Sequence, residues 1–286
     1  ETQGLTESFI GSWLKKRGKR DDLVLATKVV GRTDMDWFRG GPNQLDRSCI
    51  EEAVNGSLKR LGTDYIDLYQ LHWPDRPINL FGGLSYKHIN FEQAIPPQET
   101  LQVLGDLIKE GKIRNVGLSN ETPWGLASFL KAADELDLPK VVSVQNVYNL
   151  LSRVYENGLS EYSYRENVGL LAYSPLAQGY LSGKYQNGAR PEGSRTTLFE
   201  RGDRYETLHA EKIIQDYLDL AKLNNIDPVT MSLSFVNQKS FVTSNIIGAT
   251  NMEQLKTAID SDDVILPKEL IKEINSIHLS CPNPCP

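Results

Sequence analysis

The sequence has no apolar run approaching the ~18–20 residues needed to span a bilayer, and no signal-peptide pattern at its start, so neither a membrane association nor an export signal is expected. Cysteine is scarce. Cys49, Cys281 and Cys285 are too few and too ill-spaced for a disulfide framework. Three reduced thiols in a reducing cytoplasm, with no metal site, is the expected state. A basic surplus is also missing. Thirty-one Lys and Arg face thirty-seven Asp and Glu, a formal net charge of −6, which argues against a nucleic-acid partner. No Pro/Gly/Ser-rich linker and no low-complexity tract divides the 286 residues, so one domain over residues 1–286 is predicted.

What is present is an alternation of short apolar stretches and amphipathic ones. Leu23–Val30 reads as a buried strand. Ile50, Ala53, Val54, Leu58 and Leu61 fall at helical spacing, with Ser48 and Glu51 as a capping box and Gly62 as the stop. Further strands are predicted over Tyr65–His72, Ile113–Ser119, Val141–Gln145, Val168–Tyr173 and Asn245–Gly248. Helices are predicted over Pro97–Glu110, Pro123–Asp134, Val154–Arg165, Glu206–Asn224, Pro228–Gln238, Met252–Asp260 and Lys268–His278. Leu5, Phe9, Ile10, Trp13 and Leu14 give the first residues a helical stripe. Long loops are expected over Trp73–Pro96 and Ser174–Arg204.

Repeated strand–helix units make parallel strands, because each crossover returns the chain to the same end of the sheet. No glycine fingerprint follows the first strand, as an open dinucleotide-binding sheet would require. Polar residues instead close several strands: Lys28, His72, Asn120 and Gln145. That distribution is how a (β/α)8 TIM-type barrel builds its catalytic rim. Six strands are countable where such a barrel has eight. The expectation is therefore that the first two strands lie before Glu1, in about 60 residues.

Lys28 stands in an apolar strand, where an ammonium loses hydration and needs a partner or a task. It could also simply reach solvent at the strand end. His72 closes YIDLYQLH and could equally be a hydrogen-bonded core histidine. Brought together, a histidine donor and a lysine charge can polarise a carbonyl.

LATKV around Lys28, LYQLHWP around His72, GLSN at Gly117–Asn120, QN at Gln145–Asn146 and AYSPLAQGYLSGKY at Ala172–Tyr185 resemble the aldo-keto reductases. The opening ETQGLTESFIGSWLKKRG resembles that family's helix after its second strand, and the Tas-type bacterial members are the most alike. The resemblance covers essentially the whole chain. It implies a catalytic tetrad of Asp, Tyr, Lys and His. Lys28 and His72 match the lysine and the histidine, whereas the aspartate and the tyrosine proton donor would precede Glu1. The 286-residue chain itself is thus expected to turn over little.

The resemblance also implies a cofactor, NADPH with NAD as an alternative. Ser119, Asn120 and Gln145 match the residues that bind its carboxamide, and Tyr173 the tyrosine that stacks on the nicotinamide. Ser174, Pro175, Leu176, Gly179, Leu181, Gly183 and Lys184 match the pyrophosphate loop. Gly248, Ala249, Thr250 and Asn251, at a helix N-terminus, match the adenosine end, with Gln254 an adenine contact. Ala258 departs from the family's frequent asparagine, and no arginine in Ile246–Ile259 marks a 2′-phosphate. Trp73, with Phe81 and Tyr86, would border a small-molecule carbonyl substrate. The function implied is reduction of aldehydes or ketones by NAD(P)H. Two alternatives are an NADPH-binding redox sensor or regulatory subunit, and a Schiff-base barrel enzyme using Lys28.

Overall fold

Strand and helix alternate along the chain in a computed structural model that describes residues 3–36, 38–79, 83, 85–199 and 202–286. Phe81, expected near the substrate, lies outside the described residues. The chain clusters into two compact units. The first comprises residues 1–78 and 87–145, and the second 79–86 and 146–286.

In the first unit, α1 (Leu5–Arg17) precedes β1 (Ala26–Val29), α2 (Arg47–Leu61), β2 (Ile66–Leu71), α3 (Pro97–Lys109), β3 (Ile113–Ser119), α4 (Pro123–Leu136) and β4 (Val141–Val147). The strands pair in parallel, β1 with β2, β2 with β3 and β3 with β4. Each crossover is a helix, as parallel pairing demands. Side chains alternate between faces along a strand. Val29, Tyr69, Leu71, Val116, Leu118 and Val144 share one face and are all buried. The other face carries Lys28, Gln70, Gly117 and Ser143, which are register partners across the four strands.

Local chemistry sets the helix ends. Asp46, not Ser48, caps α2: its carboxylate accepts from Cys49 N at 2.9 Å. The predicted capping box does not form: Glu51 pairs with Arg47 at 2.9 Å, and Asp46, two residues before Ser48, is the one that meets the free N–H groups. Gly62 ends α2 in the left-handed conformation, with φ 63°. Pro97 and Pro123 sit in the first turns of α3 and α4, where their missing N–H costs nothing. The stripe on α1 has the expected spacing, yet only Leu14 of it is buried and Phe9 is 68% exposed. Contact with α2 runs instead through Gly11, whose missing Cβ lets the α1 backbone approach the carbonyls of Arg60 and Leu61.

The second unit holds α5 (Leu159–Arg165), β5 (Gly169–Tyr173), α6 (Arg195–Phe199), α7 (Ala210–Leu223), α8 (Pro228–Asn237), β6 (Val242–Asn245), α9 (Met252–Asp260) and α10 (Lys268–Ser280). β5 and β6 pair in parallel. The sixth strand is VTSN rather than the expected NIIG. Ladder hydrogen bonds to β5, not apolar content, define it, and the pairing runs from Val242 opposite Leu170 to Asn245 opposite Ala172. The predicted helix over Val154–Arg165 is broken by Asn157 and Gly158, leaving a short turn and then α5. The predicted loop over Ser174–Arg204 contains tight turns and α6. Under α8, Arg153 forks onto Glu156 at 2.9 Å, and Tyr148 and Lys239 also reach that carboxylate. This network satisfies charges that would otherwise be costly to bury.

All three cysteines are free thiols. Among the described residues no helix is long and apolar enough to cross a membrane.

Candidate active site

The first unit's sheet carries Lys28, His72, Ser119, Asn120 and Gln145 at or just beyond its strands' ends. His72 follows β2 directly, and its N–H donates to Val29 O at 2.9 Å, which extends the β1–β2 pairing by one bond. Lys28 lies two residues before Val30 on the neighbouring strand. Both side chains are partly buried. Burial lowers the Lys28 pKa, and no neighbouring carboxylate among the described residues opposes that shift. Burial, then the Lys28 charge, pushes the His72 pKa down to about 4. His72 is therefore a neutral imidazole at neutral pH, held so chiefly by desolvation.

Trp73 packs its ring on His72, with centroids 4.7 Å apart, and donates its indole N–H to Arg32 O at 3.0 Å. Gly31 makes the room: a Cβ there would stand 2.5 Å from Trp73 Cδ1. Tyr86 is exposed.

Ser119, Asn120 and Gln145 are brought together at the ends of β3 and β4. Ser119 Oγ donates to Gln145 O at 2.8 Å, and Asn120 N to the same carbonyl at 3.0 Å. Asn120 turns into the left-handed region, φ 51°, a conformation asparagine tolerates better than most residues. Its amide then donates to His72 O at 2.8 Å. One side chain thereby ties the histidine strand to the amide cluster. Gln145 donates its Nε2 to Gln70 Oε1 at 3.4 Å.

In the second unit, Tyr173 closes β5 and is half-buried. Arg204 approaches its hydroxyl, Nη1 to Oη 3.4 Å. Ser174 adopts φ 54°, and its carbonyl accepts from Asn149 Nδ2 at 2.9 Å. The chain then turns tightly: Ala177 N donates to Ser174 O and Gly179 N to Leu176 O, each at 2.8 Å. Pro175 and Leu181 are buried, so they anchor this loop rather than line its surface. Gly179 has φ 99°, and a Cβ there would stand 2.9 Å from Lys184 Nζ. Glycine thus keeps open backbone beside an exposed ammonium. Gly183 ends the turn at φ 81°.

Gly248, Ala249, Thr250 and Gln254 are all exposed around the start of α9. Asn251 caps that helix by accepting from Gln254 N at 2.9 Å. Gln254 Oε1 in turn accepts from Thr250 N and Oγ1, at 3.0 and 3.1 Å.

Sequence reasoning missed Gln70 and Arg204. Gln70 gave the same signal as Lys28, a polar residue inside an apolar strand, whereas nothing in the sequence joins Arg204 to Tyr173.

Parallel strands crossed over by helices place the protein in the α/β class, with polar residues at the strands' C-terminal ends of the kind α/β enzymes use for binding and catalysis. The chain belongs to the aldo/keto reductase family: that family's model matches residues 2–278, and its fold is the (β/α)8 barrel. It is 47% identical to Protein tas of Escherichia coli over 287 residues, spanning all of this chain and 83% of that protein. It is 38% identical to an aldo-keto reductase of Babesia bovis over 274 residues, 90% of this chain and 95% of the relative. A probable voltage-gated potassium channel subunit beta of Arabidopsis thaliana is 29% identical over 276 residues, 92% and 75% of the respective chains. The family is one of oxidoreductases.

Proposed function

We propose that the protein reduces small aldehydes or ketones to alcohols with a reduced nicotinamide cofactor, NADPH in preference to NADH, in the cytoplasm. The observation that carries this reading is the pairing of a desolvated Lys28 with a neutral His72 on adjacent strand ends, beside the hydrogen-bonded Ser119, Asn120 and Gln145. Two amides and a hydroxyl suit a carboxamide because each can donate and accept. Gly179, open beside Lys184, suits a phosphate. Ser119, Asn120 and Gln145 would hold the carboxamide, and Tyr173 the nicotinamide ring. Ser174, Pro175, Leu176, Gly179, Leu181, Gly183 and Lys184 would follow the pyrophosphate, and Gly248, Ala249, Thr250 and Gln254 the adenosine. When bound, the cofactor supplies hydride.

The chain's own residues then act on the carbonyl oxygen. The Lys28 ammonium stabilises negative charge developing there, and more strongly for being out of water. Neutral His72 donates an N–H hydrogen bond to the same oxygen and orients it, and the proton that completes the alcohol is taken up from solvent. Trp73 restricts the approach to His72 and excludes water from that side.

The test is consumption of NADPH with a small aromatic aldehyde. Alcohol formation that falls tenfold or more in Lys28→Met and in His72→Ala is expected. Reduction untouched by both substitutions would refute the assignment.

The 29% identity to a probable channel beta subunit favours a second reading, a cofactor-binding sensor. NADPH binding with no alcohol formed at any enzyme concentration would select it.

A further inference from the structure

Gln70 is fully buried in β2, at 0% exposure, and its Nε2 has no hydrogen-bond partner. Leaving a buried amide donor unsatisfied is destabilising, so a glutamine here needs a reason. Its side chain shares a face with Lys28, its register partner on β1. On the other side its partner is Gly117 of β3. A Cβ on Gly117 would lie 3.1 Å from Gln70 Cγ and 2.7 Å from Ser143 Oγ. The missing Cβ leaves a channel across β3. Through it the Gln70 amide reaches a residue of β4, two strands away, and accepts from Gln145 Nε2 at 3.4 Å. Strands lie ~4.8 Å apart, so two glutamine side chains meet across this gap where a glutamine and any shorter residue would not.

We propose that Gln70 is a positioning residue that fixes which end of the Gln145 amide faces the cofactor. It acts through Gln145 and touches neither carbonyl nor ring. With Gln145 Nε2 committed to Gln70, the Oε1 of Gln145 is presented as an acceptor. An acceptor selects an amide N–H₂, so Gln70 would make the site discriminate a carboxamide from an acetyl group of the same shape. Gly117 belongs to the same device, as the residue that lets the two amides meet. This inference rests on the cofactor reading above.

The experiment is a fluorescence binding titration of the 286-residue protein with NADPH and with its reduced 3-acetylpyridine analogue, in which methyl replaces the carboxamide N–H₂. Wild type is expected to favour NADPH. Gln70→Met, near in volume, and Gln70→Asn, which keeps an amide but withdraws it by one methylene, should each weaken NADPH binding about tenfold, the equivalent of one hydrogen bond at ~1.4 kcal/mol. Both should leave the analogue nearly unchanged, so that the preference collapses. Far-ultraviolet circular dichroism identifies any variant that does not fold. In that event the Gln145 side-chain amide resonances of wild type decide: a single slowly exchanging set supports the clamp, and rapid averaging overturns it. Parallel weakening of both ligands, or no change in their ratio, would overturn the proposal while leaving the cofactor reading intact. Binding of neither ligand by wild type would bring down the cofactor reading, and this inference with it.

Discussion

In the function proposed above, Lys28 and His72 carry the chemistry. Two groups able to bear positive charge sit on adjacent strand ends, each partly withdrawn from water. The histidine yields, and its pKa falls to about 4. A nuclear magnetic resonance titration of the His72 ring should therefore show a midpoint near 4, against an ordinary value of about 6.5. In Lys28→Met the midpoint should rise part of the way, because the like charge is gone and burial remains. A His72 midpoint at its ordinary value would contradict the geometry. The sign of the stability effect follows. Between about pH 4 and 6.5 the unfolded chain binds a proton at this position that the folded chain does not. The stabilisation from His72 is complete above that window and is lost as pH falls through it. Lys28 was legible in the sequence because a charge in an apolar strand is anomalous. Gln70 was equally anomalous, but an uncharged amide draws less notice, and its meaning depends on Gly117, which lies 47 residues further on and becomes a neighbour only through strand register.

Among the elements, most strands and helices follow from periodicity, and their ends follow from chemistry that periodicity does not contain. β3 and α9 occupy the predicted spans. β6 does not, since Val242–Asn245 is defined by pairing with β5 and has little apolar signature of its own. The start of α2 shows the same limit. Ser48 and Glu51 form a good local pattern, but the competing Arg47–Glu51 pair and the Asp46–Cys49 bond decide the cap. Asp46→Ala should cost about 1 kcal/mol in chemical denaturation, while Ser48→Ala should stay within about 0.5 kcal/mol. The reverse order would restore the capping box. Gly31→Ala should be more damaging, on the order of 1–3 kcal/mol, because its Cβ would collide with Trp73. That substitution should also disturb the indole's contact with His72. A Trp73 fluorescence spectrum unchanged in Gly31→Ala would contradict the packing described.

For the molecule as a whole, strand–helix alternation and polar strand ends were enough to indicate a barrel-type α/β enzyme before any likeness was weighed, and family membership confirms that class. Ser119, Asn120 and Gln145, singled out in the sequence, do meet through hydrogen bonds. What the sequence hid were relations without local pattern: the Asn120 link to the His72 backbone, the Arg204 contact with Tyr173, and the glycine channel under Gln70. The central claim is that the chain moves hydride from a nicotinamide to a carbonyl carbon, aided by Lys28. It is tested most directly with NADPH deuterated at the transferring carbon, a small aldehyde, and mass spectrometry of the alcohol after prolonged incubation. The account predicts deuterium on the alcohol carbon with the wild-type protein and its near-complete loss in Lys28→Met. Alcohol formed without deuterium, or labelled equally in both proteins, would contradict it.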